Sequence, residues 1–171
     1  MELLKRIIRP LEAISKYTGW GISLLAIPMI AALIYEVIAR YFFNRPTIWS
    51  YEITYMIYGT HFLIGSAFTL LIKGHIRIDV FYSLLPIRGR ALIDTLGYAI
   101  IFFPVMIVLI ISALDVAQEA YQTAEVSQFT PWQPLLWPFK TAMLVGFVLL
   151  GLQGLSELLK SLSTLITGKE L

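Results

Sequence analysis

"RYFFNRPTIWSYE", residues 40–52, sets two arginines, an asparagine, a proline, a tryptophan and a glutamate between two long apolar runs. Three readings of this patch compete: a catalytic or ligand site, a docking surface, or a capped turn between helices. Its chemistry suits a turn. Pro46 fixes its own φ and keeps Arg45, before it, out of the α region, so the helix arriving from the N-terminal side stops here. Asn44 can close that helix through a left-handed residue or a side-chain bond. Thr47 or Ser50 is placed to cap the next helix, whose positive N-terminal end favours Glu52. Trp49 suits the depth of lipid headgroups.

Working outward, the surroundings call for a bilayer. Of 171 residues, 58% are hydrophobic and only 14% charged, against about 25% charged in soluble domains. Four windows, approximately 17–43, 51–72, 91–114 and 135–155, reach the roughly 20 residues that a helix needs to cross about 30 Å of hydrocarbon. They far exceed a membrane β-strand, so the expected fold is an all-α integral membrane protein of four spans forming a single membrane domain over 1–171. The first run is also too long for the apolar core of a cleaved signal peptide. With no cysteine there is no disulfide, thiolate nucleophile or cysteine-held metal. A net charge of +2, spread along the chain, does not suit nucleic acid.

The basic residues orient the spans instead. Lys5, Arg6, Arg9, Lys16, Lys73, Arg77, Arg88, Arg90, Lys160 and Lys169 lie on one set of flanks, against Arg40, Arg45 and Lys140 on the other. The positive-inside rule then places both termini and the 73–90 link in the cytoplasm. Trp49, Trp132 and Trp137 fall at the opposite, outer interface. Residues 1–16 carry an apolar stripe (Leu3, Leu4, Ile7, Ile8, Leu11, Ile14) with Lys5, Arg6, Arg9 and Glu12 off it, which predicts an amphipathic helix along the cytoplasmic headgroups. The alternative is that it extends the first span.

Charges inside a membrane need a reason. Glu36 and Arg40, four apart with the acid first, share a helix face as an ion pair; the rival reading makes Glu36 a proton or cation site. His61, mid-way along the second run, either relays protons or makes a hydrogen bond across the bundle. The other histidine, His75, lies in the link, so two histidines cannot hold a haem at membrane depth. His75 and Asp79 lack companions for a metal set. Lys140 enters the fourth span from the outer side, within reach of the interface. No phosphate loop, dinucleotide fingerprint or nucleophile elbow is present, so neither enzymatic activity nor a cofactor is expected.

Two stretches carry a family resemblance. Residues 40–52 resemble the R-x-x-x-N-x-P-x-x-W-x-x-E signature of the small, DctQ-type membrane subunit of tripartite ATP-independent periplasmic (TRAP) transporters. "FLIGSAFTLLIKGHIRIDVFY", residues 62–82, is similar to that family's second block, in which a Gly/Ala-rich span ends in a basic HIRVD-like turn. The resemblance implies a subunit of a sodium-coupled organic-anion importer in the bacterial inner membrane. Sodium and substrate would bind a large permease subunit, and a periplasmic substrate-binding protein would deliver the anion. Structural or subunit-contact roles would then fall to Glu36, Arg40, Asn44, Arg45, Pro46, Trp49, Glu52, His61, His75, Arg77 and Asp79, with small residues such as Gly59, Gly65 and Ser66 allowing close approach to the large permease. An acidic outer rim of Asp115, Glu119 and Glu125, without basic residues among them, would help the binding protein dock. The rival functions are a free-standing small transporter working through Glu36 and His61, and a membrane anchor for an enzyme.

Overall fold

The computed structural model describes residues 2–75, 82 and 84–169. The chain folds as α1 (Glu2–Ser23), α2 (Ala26–Tyr41), α3 (Ser50–Leu71), α4 (Ile87–Leu96), a π-helical turn (Gly97–Phe102), α5 (Phe103–Gln122) and α6 (Trp137–Thr167). Among the described residues the sole β element is an isolated antiparallel bridge between Val126 and Leu135.

Prolines explain where the long helices are irregular. Pro28 has no amide to offer the Leu24 carbonyl, and its ring crowds that oxygen. The ladder tightens there: Ile27 N–H bonds Leu24 O at 3.1 Å, and Leu25 N–H bonds Ile22 O at 3.0 Å. α1 and α2 are thereby separated only by Leu24–Leu25. Pro104 acts the other way. Its missing amide faces Ile100, inside the wider turn, and the Phe103 N–H reaches back to Tyr98. Pro10, by contrast, is accommodated inside α1.

Among the described residues, three helical runs are long and apolar enough to cross a membrane: Leu4–Tyr41, Ile87–Gln122 and Trp137–Thr167. α3, at 22 residues, is roughly 33 Å long at 1.5 Å per residue. Burial is arranged for lipid. Buried apolar residues are mostly small (Ala32, Ala67, Ala91, Ala113, Ala117, Ala120), whereas the largest fully enclosed side chains are Gln153 and Glu52. Ile30, Ile34, Val108 and Ile111 face outward. Polar groups placed inside and apolar ones outside are what a hydrocarbon solvent selects.

α6 is the hub. It packs on α1, α3, α4 and α5, while α2 meets α3 from the far flank. Gly146 sets the α3–α6 approach: a Cβ there would stand 2.9 Å from the Leu63 carbonyl carbon. α1 joins through Ile8, Ser15 and Gly19, all buried, with Gly19 under the Phe68 ring of α3.

Several boundaries differ from the sequence expectation. The first amphipathic helix does not end at residue 16 but runs to Ser23, because its buried stripe continues through Gly19 onto α3. The third run is a composite from Ile87 to Gln122, and α6 extends to Thr167, twelve residues past the expected end at 155. That extension is stabilised by polar contacts that hydropathy does not register, described next.

Candidate functional site

The 40–52 stretch is a turn, and its own residues close it. Asn44 takes the left-handed conformation (φ 51°), and the Arg45 N–H returns to the Ala39 carbonyl at 2.9 Å. One Glu36 carboxylate oxygen accepts Arg40 Nε at 2.8 Å. The other accepts the Thr47 N–H at 2.9 Å and also the Thr47 hydroxyl. Glu36 thus staples the last turn of α2 to the residue after Pro46. Thr47 Oγ1 also receives the Ser50 N–H at 3.3 Å, so Thr47, not Ser50, serves the start of α3. Ser50 instead donates to the Ala32 carbonyl at 3.0 Å and joins α3 to α2. Trp49 stacks on Tyr35 with centroids 5.6 Å apart.

Glu52 does more than complement a helix end. It is completely buried and accepts hydrogen bonds from Ser127 Oγ at 2.6 Å and Thr130 Oγ1 at 3.2 Å. Those donors lie in a compact loop that returns from α5 to α6. Ala124 (φ 49°) ends α5, with Glu125 N–H on Ala120 O at 3.1 Å. The Ser127 N–H reaches Pro134 O and the Leu136 N–H reaches Glu125 O, both at 2.9 Å, which pins the loop's neck. Phe129 packs beside Tyr51 and Tyr55.

The expected acidic rim is therefore not uniform. Glu125 forms an ion pair with Lys140, so Lys140 is held by an acid. Asp115 and Glu119 are exposed on α5. Trp132 is exposed, and Trp137 packs edge-on against Tyr121 at 5.7 Å. His61 is half-buried along α3, and His75 is exposed beyond its end. Among the described residues, no three of His, Cys, Asp and Glu could hold a metal ion. Arg77 and Asp79 lie outside the described residues. Gly59 lies under the Phe139 ring of this same chain, whereas Gly65 faces open space.

One cluster escapes the sequence reading. On the last turns of α6, Glu157 accepts Gln153 Nε2 at 3.1 Å and Lys160 Nζ at 2.7 Å. Lys160 also pairs with Glu12 on α1. Gln153, Ser156, Glu157 and Lys160 follow one another at helical spacing, a polar stripe in an apolar run that periodicity could have revealed. It fastens the amphipathic α1 to the hub helix.

These features define a class: an α-helical integral membrane protein whose polar groups tie helices and turns to one another. The family model for tripartite ATP-independent periplasmic transporters, DctQ component, matches residues 29–164, and the chain belongs to that family. It is a transporter permease component, not an enzyme. A curated relative, the sialic acid TRAP transporter small permease protein SiaQ of Vibrio cholerae serotype O1, is 26% identical over 94 residues. That match covers 53% of this chain, and the chain spans about half the relative's length (49%).

Proposed function

We propose that this chain is the small permease subunit of a sodium-coupled, binding-protein-dependent importer of organic anions in the bacterial inner membrane. In this reading α3 is a fourth span, both termini are cytoplasmic, and a large permease subunit carries sodium and substrate. The observation that carries it is the employment of Glu36 within a family match over residues 29–164: its oxygens serve Arg40 and Thr47. A carboxylate so engaged holds a turn in shape, which weighs against a free-standing transporter that cycles a proton or cation through Glu36. The SiaQ relative, named for an acidic sugar, supports an anionic substrate.

The small subunit's work is then to stabilise the large one and present a rigid turn beside the 127–130 loop. Asp115 and Glu119, being exposed, are the acids left to steer a soluble binding protein, chiefly by raising its association rate. The test is reconstitution of this chain with and without its large permease. Anion uptake should require both and should survive Glu36→Gln whenever the two still co-purify. Uptake by this chain alone, titrating with Glu36, would overturn the reading. Orientation has its own measurement: Cys introduced at Gln122 should react with an impermeant maleimide in intact spheroplasts, and labelling only after lysis would reverse the topology.

A further inference from the structure

A cavity of about 280 Å³ opens between the end of α3, α4 and the last turns of α6. Among the described residues its walls include Lys73, Tyr82, Arg90, Asp94, Glu157 and Lys160. From Trp137 to Lys160 the axis of α6 runs roughly 35 Å at 1.5 Å per residue. With Trp137 at one interface, the cavity falls at the headgroup level of the other. This placement holds whichever side faces the cytoplasm.

The two sides of the cavity differ in charge. On the α6 side, Lys160 bridges Glu157 and Glu12, so two carboxylates share one ammonium. Glu157 is only 7% exposed. Gln153 and Lys160 both occupy its Oε1, and its Oε2 receives no bond among the described residues although Glu157 lines the cavity. A carboxylate oxygen left without a donor favours a cationic N–H donor. On the α3 side, Lys73 occupies the left-handed turn after the helix (φ 55°), exposed and without a carboxylate partner among the described residues. Arg90 lies with its guanidinium 5.7 Å from the Tyr82 ring centroid.

We propose that this cavity seats the headgroup of a zwitterionic phospholipid that carries a primary ammonium, a phosphoethanolamine. The ammonium sits on Glu157 and the phosphate toward Lys73. The volume is at the small end for ligand pockets, which suits a headgroup with its acyl chains left outside. A purely anionic headgroup would leave the Glu157 oxygen unmet. A quaternary ammonium would bring charge without N–H donors.

Native mass spectrometry of the full chain in detergent tests this, using phosphatidylethanolamine, phosphatidylcholine and phosphatidylglycerol with matched acyl chains. Phosphatidylethanolamine should be retained about fivefold more tightly than either of the others, the factor expected for one interfacial charge contact. Glu157→Gln should reduce it to the level of phosphatidylcholine without weakening phosphatidylglycerol. Lys73→Gln should weaken all three. Glu12→Gln, at a more exposed site, lets Lys160 commit wholly to Glu157 and should also lower the preference. Equal retention of the three lipids by the unmodified chain would overturn the proposal, as would a preference untouched by Glu12→Gln even where Glu157→Gln fails to fold. Soluble phosphoethanolamine in large excess should displace the lipid. No displacement would assign retention to the acyl chains and remove the headgroup site.

Discussion

Glu36 and Glu157 are both acids in long apolar helices, and both make an ion pair along their own helix, yet they are used differently. Glu36 spends one oxygen on Arg40 and the other on Thr47, all within one turn of chain. Glu157 concentrates Gln153 and Lys160 on a single oxygen, shares Lys160 with Glu12 from α1, and lines a cavity. The first arrangement is saturated and structural. The second joins distant parts of the chain and has bonding capacity to spare. An intramembrane carboxylate therefore has to be judged by the fate of both its oxygens, not by the presence of a basic neighbour four residues away.

The comparison can be broken most forcefully at Glu52, the acid within the 40–52 turn. Glu52→Ala strands the buried Ser127 hydroxyl and the half-buried Thr130 hydroxyl beside α3 and should cost about 3 kcal/mol, most of it from Ser127, since an unmet buried donor costs roughly 1–3. Unfolding in detergent measures it, and Glu52→Gln should recover a large part. A loss too small to detect would mean that the 127–130 loop holds itself. Next comes the hub. Gly146→Ala drives a Cβ against the Leu63 backbone and should cost about 2 kcal/mol as overpacking. It should also loosen α6 from α3, read as faster hydrogen exchange in both helices, and unchanged exchange would contradict the close approach.

The Glu36 staple itself is sharpened by asymmetry. Because Glu36 also holds Thr47, Glu36→Ala should lower the melting temperature more than Arg40→Ala, whose side chain is 55% exposed. Equal losses would reduce the staple to a simple ion pair. The smallest effect is expected at the loop: Ala124→Gly relieves a left-handed alanine (φ 49°) and should stabilise by about half a kcal/mol after the entropy of glycine is counted.

Much of the 40–52 turn was legible in the sequence because its contacts are local. The Glu36–Arg40 spacing, the left-handed Asn44 and the stop at Pro46 all follow from backbone rules that act over a few residues. Thr47 as partner of Glu36 is eleven residues away across the turn, and that pairing was not legible. Nor was Glu52's engagement with Ser127 and Thr130, because a sequence does not say which loop will come to cover a helix end. The Lys140–Glu125 pair, which leaves Asp115 and Glu119 as the exposed acids, is hidden for the same reason.

The sequence by itself determined an α-helical membrane protein, the turn at 40–52 and the family, because apolar length, proline geometry and short motifs depend on near neighbours. Only the tertiary structure decided that α6 is the hub, that α1 is tied to it through Glu12 and Lys160, and that polar side chains fill the interior. The physical reason is that hydropathy measures how a segment partitions into lipid. Buried polar groups in a membrane must find donors and acceptors on whichever helix packs beside them, and that choice exists only once the helices have assembled.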